Sequence, residues 1–486
     1  MKQTYLLIVF SLITNFAFSQ NVVFTDHNFK QIFIKPWWDT NNDGEISLTE
    51  ALNITSVLET TNVGITNLTG IESMPNVTSV IIRNNPVSAP VNLTSNTQLT
   101  NLTLHGTMPI VNITGLNLLK NINLDGPFLI LDVTNKPLLE SLMIGSVDGN
   151  PLTGVQHLDV TGSPLLKKLW SQQTQLNSLN VTQNPLLEEL VVGGNSINSI
   201  NLTQNPLLYY LAIGGSPLGT IDLSMNPLLK YVEVSKIGIS SLNIQNNNLI
   251  ETLYASENNF TNNLNLSNLT LLKNLTVNSC GLNVLDLTNN TNLISLSITY
   301  NNLSSISLSH LNKLKNFSGG FNLFTSIDLS QNPNLEYVFL NNPKLKYINL
   351  KNGNNQNIDH HPYYYVALPE LLGFCLDDPN SSFGIAIKSY VSNSVVVTSN
   401  CALATDEFSK NDDFSLYPNP VHTDLYVKTD SELKSYEIFN NSGQLIKKDV
   451  FKLNSNVVPM ESLSSGIYFI NITTNHGIQQ EKIIKK

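Results

Sequence analysis

The chain has 486 residues, which is enough for two or three domains on length alone, and it carries a formal net charge of −10. The acidic excess lies in residues 21–413, and a surface of that sign repels phosphate backbones, so a nucleic acid partner is not expected. The chain has three cysteines: Cys280, Cys375 and Cys401.

Residues 1–19 have the pattern of a secretory signal peptide. Lys2 is followed by a mostly apolar run from Tyr5 to Phe18, and a small residue, Ser19, stands where a cut is expected. The alternative is an ordinary buried N-terminal helix. No later segment approaches the ~18 consecutive apolar residues that a membrane helix needs, so no transmembrane span is predicted. The mature protein is expected to be exported, and either soluble or attached to a surface by other means.

Residues 39–50, DTNNDGEISLTE, lie just before the repeats, within a predicted N-terminal cap of residues 20–60. They fit the calcium loop D-x-[DN]-x-[DN]-G-x5-E without a gap. The expected ligands are the side chains of Asp39, Asn41, Asp43 and Glu50 and the backbone carbonyl of Glu45. No paired second loop exists and Pro36 interrupts the incoming helix, so a plain capping loop is the alternative. We predict a weakly bound calcium ion with a structural role.

Residues 61–355 repeat the pattern L-x-x-L-x-L-x-x-N-x-L about every 21 residues. One copy places its fixed positions at Leu187, Leu190, Val192, Asn195 and Ile197. This is the leucine-rich-repeat consensus, which predicts a solenoid of about 13–14 turns with a parallel β-sheet on its concave face. A single turn buries too little apolar surface to offset the entropy of ordering it, so the turns must fold as a stack.

The polar positions of the repeat are expected to be structural. The consensus Asn can bond to backbone groups of neighbouring turns and close the bend after the strand. Pro343 replaces it in one copy and Cys280 in another, where we expect a buried thiol rather than a redox site. In the second half of each copy an Asp or Asn stands two residues before a Thr or Ser in all but one case, as at Asp222. We predict a structural ladder there rather than a metal site.

Several outward strand positions carry aromatic side chains: Trp170, Tyr210, Tyr231, Tyr254, Tyr337 and Phe339. Because neighbouring turns are about 4.8 Å apart, Tyr210, Tyr231 and Tyr254 should form one exposed patch, with Trp170 nearby. Aromatic side chains on such a face are typical anchors for a protein or for sugar rings. The alternative is that they only pair with one another across the strands.

Residues 356–403 are expected to cap the end of the array. Cys375 and Cys401 bracket a segment without the 21-residue rhythm and should form a disulfide in an exported protein, with two free thiols as the alternative. The adjacent histidines of DHHPYYY, residues 359–365, could bind a metal, but a surface loop is favoured. Residues 404–413, ATDEFSKNDD, form a predicted linker.

Residues 414–486 alternate short strand-like segments with Asn, Gly and Ser turns, which predicts a small β-sandwich. Three motifs stand out: Tyr417-Pro418-Asn419-Pro420 at the start, a turn at Asn441–Gly443, and Gly466-Ile467-Tyr468 before a strand. This stretch resembles the type A C-terminal sorting domain of the type IX secretion system of Gram-negative bacteria. An ordinary sandwich with a local role is the alternative.

The resemblance implies passage through the periplasm and export across the outer membrane by the type IX secretion machinery, which would act on residues 414–486. It also implies removal of this domain at the linker, followed by release or anchoring to lipopolysaccharide. At the other end, the EF-hand-like stretch leading into short leucine-rich repeats resembles the internalin-like proteins of bacterial surfaces.

No catalytic motif occurs: the sequence has no H-E-x-x-H, G-x-S-x-G, P-loop or C-x-x-C, so an enzyme is not expected. We predict a secreted or surface-anchored leucine-rich-repeat protein that binds a macromolecule, first of all a protein, through its strand face. The alternative is an adhesin-like or glycan-binding module that uses the aromatic patch.

Overall fold

A computed structural model describes residues 20–55, 58–106, 110–126, 130–145, 155–261, 264–359, 368–401, 415–429, 431–441, 443–452, 455–474 and 477–486. The predicted signal peptide, both histidines of DHHPYYY and the 404–413 linker lie outside these residues. The chain folds as a leucine-rich-repeat solenoid of about 15 turns, which confirms the predicted fold class with slightly more turns. Two compact units, Met1–Leu207 and Leu208–Lys486, are described separately below.

The first unit opens with a helical cap, helices α1 (His27–Phe33) and α2 (Leu48–Ala51). Helix α1 buries Phe29 completely. Asp26 begins this helix: one carboxylate oxygen accepts the amide of Phe29 at 2.9 Å. The other oxygen accepts the amide and the hydroxyl of Thr66, each at 2.7 Å. One buried carboxylate therefore both starts the cap helix and ties it to the first coil.

In chain order the strands of the first unit are β1 (Leu58–Thr61), β2 (Ser79–Val87), β3 (Val91–Asn92), β4 (Asn101–Gly106), β5 (Ile110–Asn112), β6 (Asn121–Asp125), β7 (Ile130–Leu131), β8 (Ser141–Gly145), β9 (His157–Asp159), β10 (Lys168–Ser171), β11 (Ser178–Asn180) and β12 (Glu189–Val191). Strands β1, β2, β4, β6, β8, β10 and β12 follow one another in a parallel sheet. Strands β3, β5 and β7 form a second sheet, and β9 pairs with β11. A 3₁₀ helix spans Ile71–Ser73.

The repeat strands of the second unit are β13 (Tyr210–Ala212), β14 (Tyr231–Glu233), β15 (Thr252–Tyr254), β16 (Asn274–Thr276), β17 (Ser295–Ser297), β18 (Asn316–Ser318), β19 (Ser326–Asp328), β20 (Tyr337–Phe339), β21 (Tyr347–Asn349), β22 (Gly373–Cys375) and β23 (Val396–Thr398). Strands β13 to β18 and β20 form its main parallel sheet, and β19, β21, β22 and β23 form another. A 3₁₀ helix spans Asn355–Asn357, and helix α3 spans Ser382–Tyr390.

The short repeat strands alternate as the sequence pattern predicts. The middle residue of each strand in the main sheet of the second unit is buried: Leu211, Val232, Leu253, Leu275, Leu296, Phe317 and Val338. The residues on either side are half-buried, except Ala212, which is 6% exposed. We call this outward side the strand face, because its side chains are free to vary without touching the core.

An asparagine ladder closes the bend after several of the strands, which confirms the role predicted for the consensus Asn. Asn258 donates from Nδ2 to the carbonyls of Val234 and Ala255, at 2.9 and 3.0 Å. Its Oδ1 accepts three successive amides of the preceding coil. The assignment of Pro343 to this ladder was wrong: Asn342 takes the position, and its Oδ1 accepts the amide of Asn322 at 2.6 Å. The ladder position is shifted by one residue in this coil because the side chain of proline can neither donate nor accept a hydrogen bond.

The second half of each coil holds two further polar rows. The Asn of the Asn-Pro turns donates to two carbonyls of the preceding coil, as Asn332 does to Leu308 and Leu311. The Asp or Asn of the row predicted from sequence accepts the amide two residues on, as Asp222 does from Ser224 at 2.9 Å. These hydrogen bonds close local turns and satisfy backbone groups, so the row has a structural role.

The coils continue beyond the repeats recognised in the sequence. Strands β22 and β23 extend the sheet of β21 in parallel register, although longer connections separate them. Cys375 ends β22 and forms a disulfide with Cys401, with Cα atoms 5.4 Å apart. The 21-residue spacing is lost here while the ladder of strands persists, because helix α3 lies in the connection between β22 and β23.

The C-terminal region is a β-sandwich of seven antiparallel strands: β24 (Ser415–Tyr417), β25 (Asp424–Lys428), β26 (Leu433–Asn440), β27 (Leu445–Val450), β28 (Val457–Pro459), β29 (Gly466–Thr474) and β30 (Gly477–Lys485). One sheet has the order β24-β25-β28 and the other β27-β26-β29-β30. Leu425 and Val458 of the first sheet share one core with Ile438 and Ile470 of the second. Across the described part of the chain, no helix has the length and apolar character needed to cross a membrane.

The Tyr-Pro-Asn-Pro motif fixes the start of this sandwich to its last strand. Asn419 accepts the amide of Ile484 on Oδ1 at 2.8 Å and donates from Nδ2 to the carbonyl of Lys482 at 2.7 Å. The asparagine thus pairs with β30 as a strand residue would, although prolines flank it on both sides. The peptide bonds Tyr417–Pro418 and Asn419–Pro420 are cis.

Candidate functional site

The tyrosine patch consists of Tyr210, Tyr231 and Tyr254 on the strand face of the second unit. Tyr210 and Tyr231 are direct partners in the register of β13 and β14, and their rings stack with centroids 4.2 Å apart and planes 1° apart. Tyr254 meets Tyr231 edge to face, with centroids 5.7 Å apart. All three residues are half-buried. The rings therefore form one continuous surface, and their role as binding anchors stays a prediction.

The hydroxyl of Tyr231, at the centre of the patch, is held neutral. Burial raises its pKa, and a hydrogen bond with Tyr210 raises it further. Since the ordinary pKa of tyrosine is already about 10, this hydroxyl carries its proton throughout the physiological range. The ring pair thus presents apolar faces edged by a neutral hydroxyl.

Glu233 fixes a negative charge beside the patch, opposite Tyr254 in the register of β14 and β15. Its carboxylate accepts the amide of Gly214 at 2.8 Å and the amide of Ser235 at 3.0 Å. A Cβ atom at position 214 would lie 2.2 Å from Oε2 of Glu233, so glycine makes room for this carboxylate. The charge is held by the backbone and needs no lysine or arginine partner to stay in place.

Two further charges lie at the bend that follows these strands. Lys236 and Glu257 face each other with Nζ and carboxylate oxygen 3.7 Å apart, and both side chains are exposed. They border a shallow depression lined by Pro217, Gly219, Lys236, Ile237, Gly238 and Glu257. The tyrosine patch therefore has a charged rim on one side.

Trp170 belongs to the first unit and is held there by its own contacts. Lys168 lies over its ring with Nζ 4.1 Å from the centroid, and its indole Nε1 donates to Glu189 at 3.2 Å. Lys168 and Glu189 also form an ion pair at 3.0 Å. The indole is therefore part of a local cluster with one cation and one anion.

The other predicted aromatic residues lie on β20, where Tyr337 is the register partner of Asn316. Phe339 contacts Phe321, with ring centroids 5.9 Å apart, and Phe321 stacks on Tyr300 with centroids 4.3 Å apart and planes 9° apart. We call Tyr300, Phe321 and Phe339 the aromatic ledge. Sequence reasoning found only Phe339, since the other two residues follow their strands instead of lying in them.

The backbone of the ledge is unusual for aromatic residues. Tyr300 and Phe321 adopt left-handed φ angles of 56° and 58°. The same bend in the preceding coils holds residues of other types: Gly215, Lys236, Glu257 and Ser279, with φ between 53° and 74°. The amide of each donates to a carbonyl of the next coil, as Tyr300 does to Gly320 at 3.1 Å. Coil stacking therefore imposes the bend, whatever residue occupies it. The signal in the sequence is an aromatic residue just before the ladder Asn.

The predicted calcium loop closes on its own amides. Asp39 is buried, and its two carboxylate oxygens accept the amides of Asp43 and Gly44 at 3.1 and 3.0 Å. Asn41 donates to the carboxylate of Asp43 at 2.9 Å. Glu45 forms an ion pair with Lys30 at 2.5 Å.

Glu50, the last residue of this loop, lies in helix α2 and completes a capping box with the N-cap residue Ser47. One carboxylate oxygen accepts the amide and hydroxyl of Thr40 at 2.8 Å, and the other accepts those of Ser47 at 2.9 Å. Burial by itself raises the pKa of Glu50, but these hydrogen bonds outweigh it and lower the pKa to about 2. The stability that this carboxylate supplies is therefore complete above its ordinary value of 4.5 and is lost as the pH falls toward 2.

The loop has the oxygen donors that calcium prefers, but its carboxylates serve other partners in this arrangement. Among the described residues, which include the whole loop, no three acidic, histidine or cysteine side chains are grouped so that they could hold a metal ion. Calcium would have to draw Glu50 away from Thr40 and Ser47. Calcium binding stays a prediction, and the capping role of Glu50 is what the geometry displays.

Cys280 occupies the ladder position as a free, buried thiol. Burial raises its pKa to about 11. Its Sγ donates to the carbonyl of Ala255 at 3.3 Å, and its amide donates to Oδ1 of Asn301 at 3.0 Å. A buried thiol that stays protonated at neutral pH is inert, so Cys280 stands in for a ladder Asn.

Residues 415–486 match the family model of the secretion system C-terminal sorting domain. This match confirms that the chain ends in a sorting domain, which implies that the protein is secreted or carried to the cell surface. The contacts of Asn419 described above lie at the start of this domain.

Two solved structures show the fold of the rest. The functional domain of InlJ from Listeria monocytogenes, which includes a cysteine ladder, has a TM-score of 0.56 at 20% identity and covers 96% of this chain and 98% of its own. A leucine-rich-repeat protein of Leptospira interrogans has a TM-score of 0.51 at 16% identity, over 72% of this chain and 98% of its own. Identities this low establish the leucine-rich-repeat architecture and nothing finer.

A curated relative, Beta-agarase A of Zobellia galactanivorans, is 33% identical over 90 residues. The match spans 18% of this chain and 16% of that protein. It therefore carries no information about the activity of the remainder.

Proposed function

We propose that this protein is exported and then binds a protein ligand through the strand face of its second unit, with the tyrosine patch as the anchor. The observation that carries the proposal is the stacked pair Tyr210–Tyr231 with Tyr254 against its edge. Tyrosine is among the residues that most often dominate binding energy in protein interfaces. Rings held on a sheet lose little conformational freedom on binding, which favours affinity.

The charges around the patch support a protein partner. Glu233 is fixed at its side, and Lys236 and Glu257 border the adjoining depression. An apolar centre with a charged rim is the usual anatomy of a protein-binding surface, in which the rim gives specificity and association rate.

A pull-down with the exported protein tests this function. The double variant Tyr210→Ala plus Tyr231→Ala should lose the captured partner, with affinity reduced at least tenfold. Tyr390→Ala, which removes the same side chain from helix α3 instead of the strand face, is the matched control and should bind like the parent. Retention of the partner by the double variant would rule out the patch as the anchor.

The route of export is also part of the proposal. The signal peptide is removed first, the type IX machinery recognises the sorting domain, and cleavage falls within residues 404–413. Mass spectrometry of the protein outside the cell should find a C-terminus near residue 413. An intact Lys486 outside the cell would contradict this route.

We retain calcium as a structural ligand of the 39–50 loop, bound weakly and without a signalling role. Support comes from the order of oxygen-bearing residues in the loop. Calorimetry should detect uptake at millimolar calcium, and Asp39→Ala plus Glu50→Ala should abolish it. Absence of uptake at that concentration would show that the Glu50 cap works alone.

A further inference from the structure

The aromatic ledge places two large rings at a bend where the preceding coils of the second unit have Gly, Lys, Glu or Ser. The bend after each strand requires a left-handed residue, and glycine takes that conformation without a steric penalty, as at Gly215. Bulky residues rarely adopt it, yet Tyr300 and Phe321 do so in successive coils. Strain of this kind is concentrated at functional sites. The coil would form at least as well with small residues at both positions, so folding alone does not explain the aromatic side chains.

One ring of the ledge is exposed, and the other two are half-buried. Tyr300 is 57% exposed, and it stacks in parallel on Phe321. Phe339 extends the surface from the neighbouring strand position. Its ring lies against the backbone of Gly320, where a Cβ atom would come within 2.4 Å of it. Three rings from successive coils thus make one platform with an exposed end.

The strand face next to the ledge carries no formal charge. The outward residues of β16, β17 and β18 are hydroxyl- and amide-bearing: Asn274, Thr276, Ser295, Ser297, Asn316 and Ser318. Ser318 of β18 is the register partner of Phe339 on β20, and Ser297 of β17 is the register partner of Ser318. An ionic ligand would find no opposite charge on these positions, and an apolar one would find no apolar groove.

Flat aromatic rings beside uncharged hydroxyl and amide groups are suited to a sugar. The C–H face of a pyranose ring packs on an aromatic face, and its hydroxyl groups exchange hydrogen bonds with Ser, Thr and Asn side chains. We propose that the aromatic ledge and the adjoining face of β16–β18 form a binding site for a neutral glycan, with a sugar ring against the face of Tyr300 that is not stacked on Phe321. This site is distinct from the tyrosine patch and does not depend on the patch binding a protein.

The test uses the full exported protein, a glycan array, and affinity electrophoresis in gels that contain a β-1,3-glucan, a β-1,4-mannan, a β-1,4-xylan or agarose. We expect retention on at least one neutral glycan, and we expect Tyr300→Gly plus Phe321→Gly to weaken it at least tenfold. The matched control is Gln173→Gly plus Ser279→Gly, which makes the same change at the same left-handed bend of other coils and should retain the glycan like the parent.

Three outcomes would overturn the proposal: no neutral glycan is retained, only charged glycans are retained, or the control variant loses binding as much as the ledge variant. Tyr300→Phe keeps the ring and should keep binding, which separates loss of the platform from loss of the fold. Circular dichroism should find both glycine variants folded. Tyr210→Ala plus Tyr231→Ala should leave glycan retention unchanged, so failure here and failure of protein recognition are distinguishable.

Discussion

The tyrosine patch and the aromatic ledge are built on the same repeat, but the chain holds their rings in different ways. Tyr210 and Tyr231 lie at strand positions, where aromatic residues fit the pleated backbone without strain and stack because the register aligns them. Tyr300 and Phe321 lie at the bend, where the backbone is left-handed and disfavours large side chains. One cluster lies where the backbone favours aromatic residues, and the other lies where the backbone disfavours them.

This difference changes what each cluster says about function. Aromatic residues at free strand positions also pair across strands for structural reasons, so the tyrosine stack supports a binding role only together with the charges at its rim. Aromatic residues at a constrained bend lack that explanation, since two left-handed residues cost roughly 1–2 kcal/mol each while a stacked pair returns about 0.5–1.5 kcal/mol. The ledge is therefore the more informative of the two clusters, because its aromatic residues lie where the backbone does not favour them.

The largest expected effect separates the two clusters through their supporting glycines. Gly320→Ala places a Cβ 2.4 Å from the ring of Phe339, and a rigid aromatic ring has fewer alternative rotamers than a carboxylate chain. We expect a loss of roughly 1–3 kcal/mol in the free energy of unfolding, the usual cost of overpacking, together with loss of glycan retention. Urea denaturation and affinity electrophoresis measure the two effects.

Gly214→Ala makes the corresponding change at the tyrosine patch. Here the added Cβ meets the carboxylate of Glu233, the end of a flexible side chain, which can rotate away and give up its two amide partners. The expected loss is about 1 kcal/mol, with weaker protein binding and normal glycan retention. If either glycine variant impaired both kinds of binding equally, the two clusters would not be separate sites.

The patch could be predicted from the sequence because the repeat fixes the register. Tyr210 and Tyr231 occupy the same place in consecutive copies, so their pairing follows from the period alone. The inward positions, the asparagine ladder and the sorting domain were predictable for the same reason: each rests on a pattern of residue types at fixed spacing.

The aromatic ledge, and the presence of Asn342 instead of Pro343 in the asparagine ladder, could not be predicted from the repeat pattern. The conformation of the bend at Tyr300 depends on an amide that pairs with the next coil, and no residue type marks it, since lysine, glutamate, serine and glycine all occur there. Asn342 replaces Pro343 in the ladder because hydrogen-bonding capacity, rather than spacing, selects the residue. Strands β22 and β23 were missed because their connections are too long to show the period.

Ionic strength should separate the clusters by a smaller amount. Protein binding at the patch involves Glu233, Lys236 and Glu257, so we expect its affinity to fall about threefold to tenfold as salt rises from roughly 50 to 500 mM. Glycan retention at the ledge involves no charged group and should change by less than about 1.5-fold over the same range. Surface plasmon resonance gives both dependences on one protein sample.

Glu233→Gln is the control for the salt experiment, because it removes one charge of the rim and keeps the shape of the side chain. It should flatten the salt dependence of protein binding and leave that of glycan binding unchanged. A steep salt dependence at the ledge would instead place an ionic ligand there.

The smallest effect tests whether the bend at the ledge is strained. Lys236→Gly and Ser279→Gly each relieve backbone strain at a left-handed residue whose side chain belongs to no ring stack. We expect each to raise the free energy of unfolding by about 0.5–1 kcal/mol. Lys236 also gives up its exposed ion pair with Glu257, which is worth little.

Tyr300→Gly gains the same relief and loses its stack on Phe321, so its stability should stay within about 0.5 kcal/mol of the parent. Urea midpoints measured on the four proteins give these differences. A clear destabilisation by Tyr300→Gly would mean that the ring is there to hold the coils together, and strain at this bend would then give no support to glycan binding.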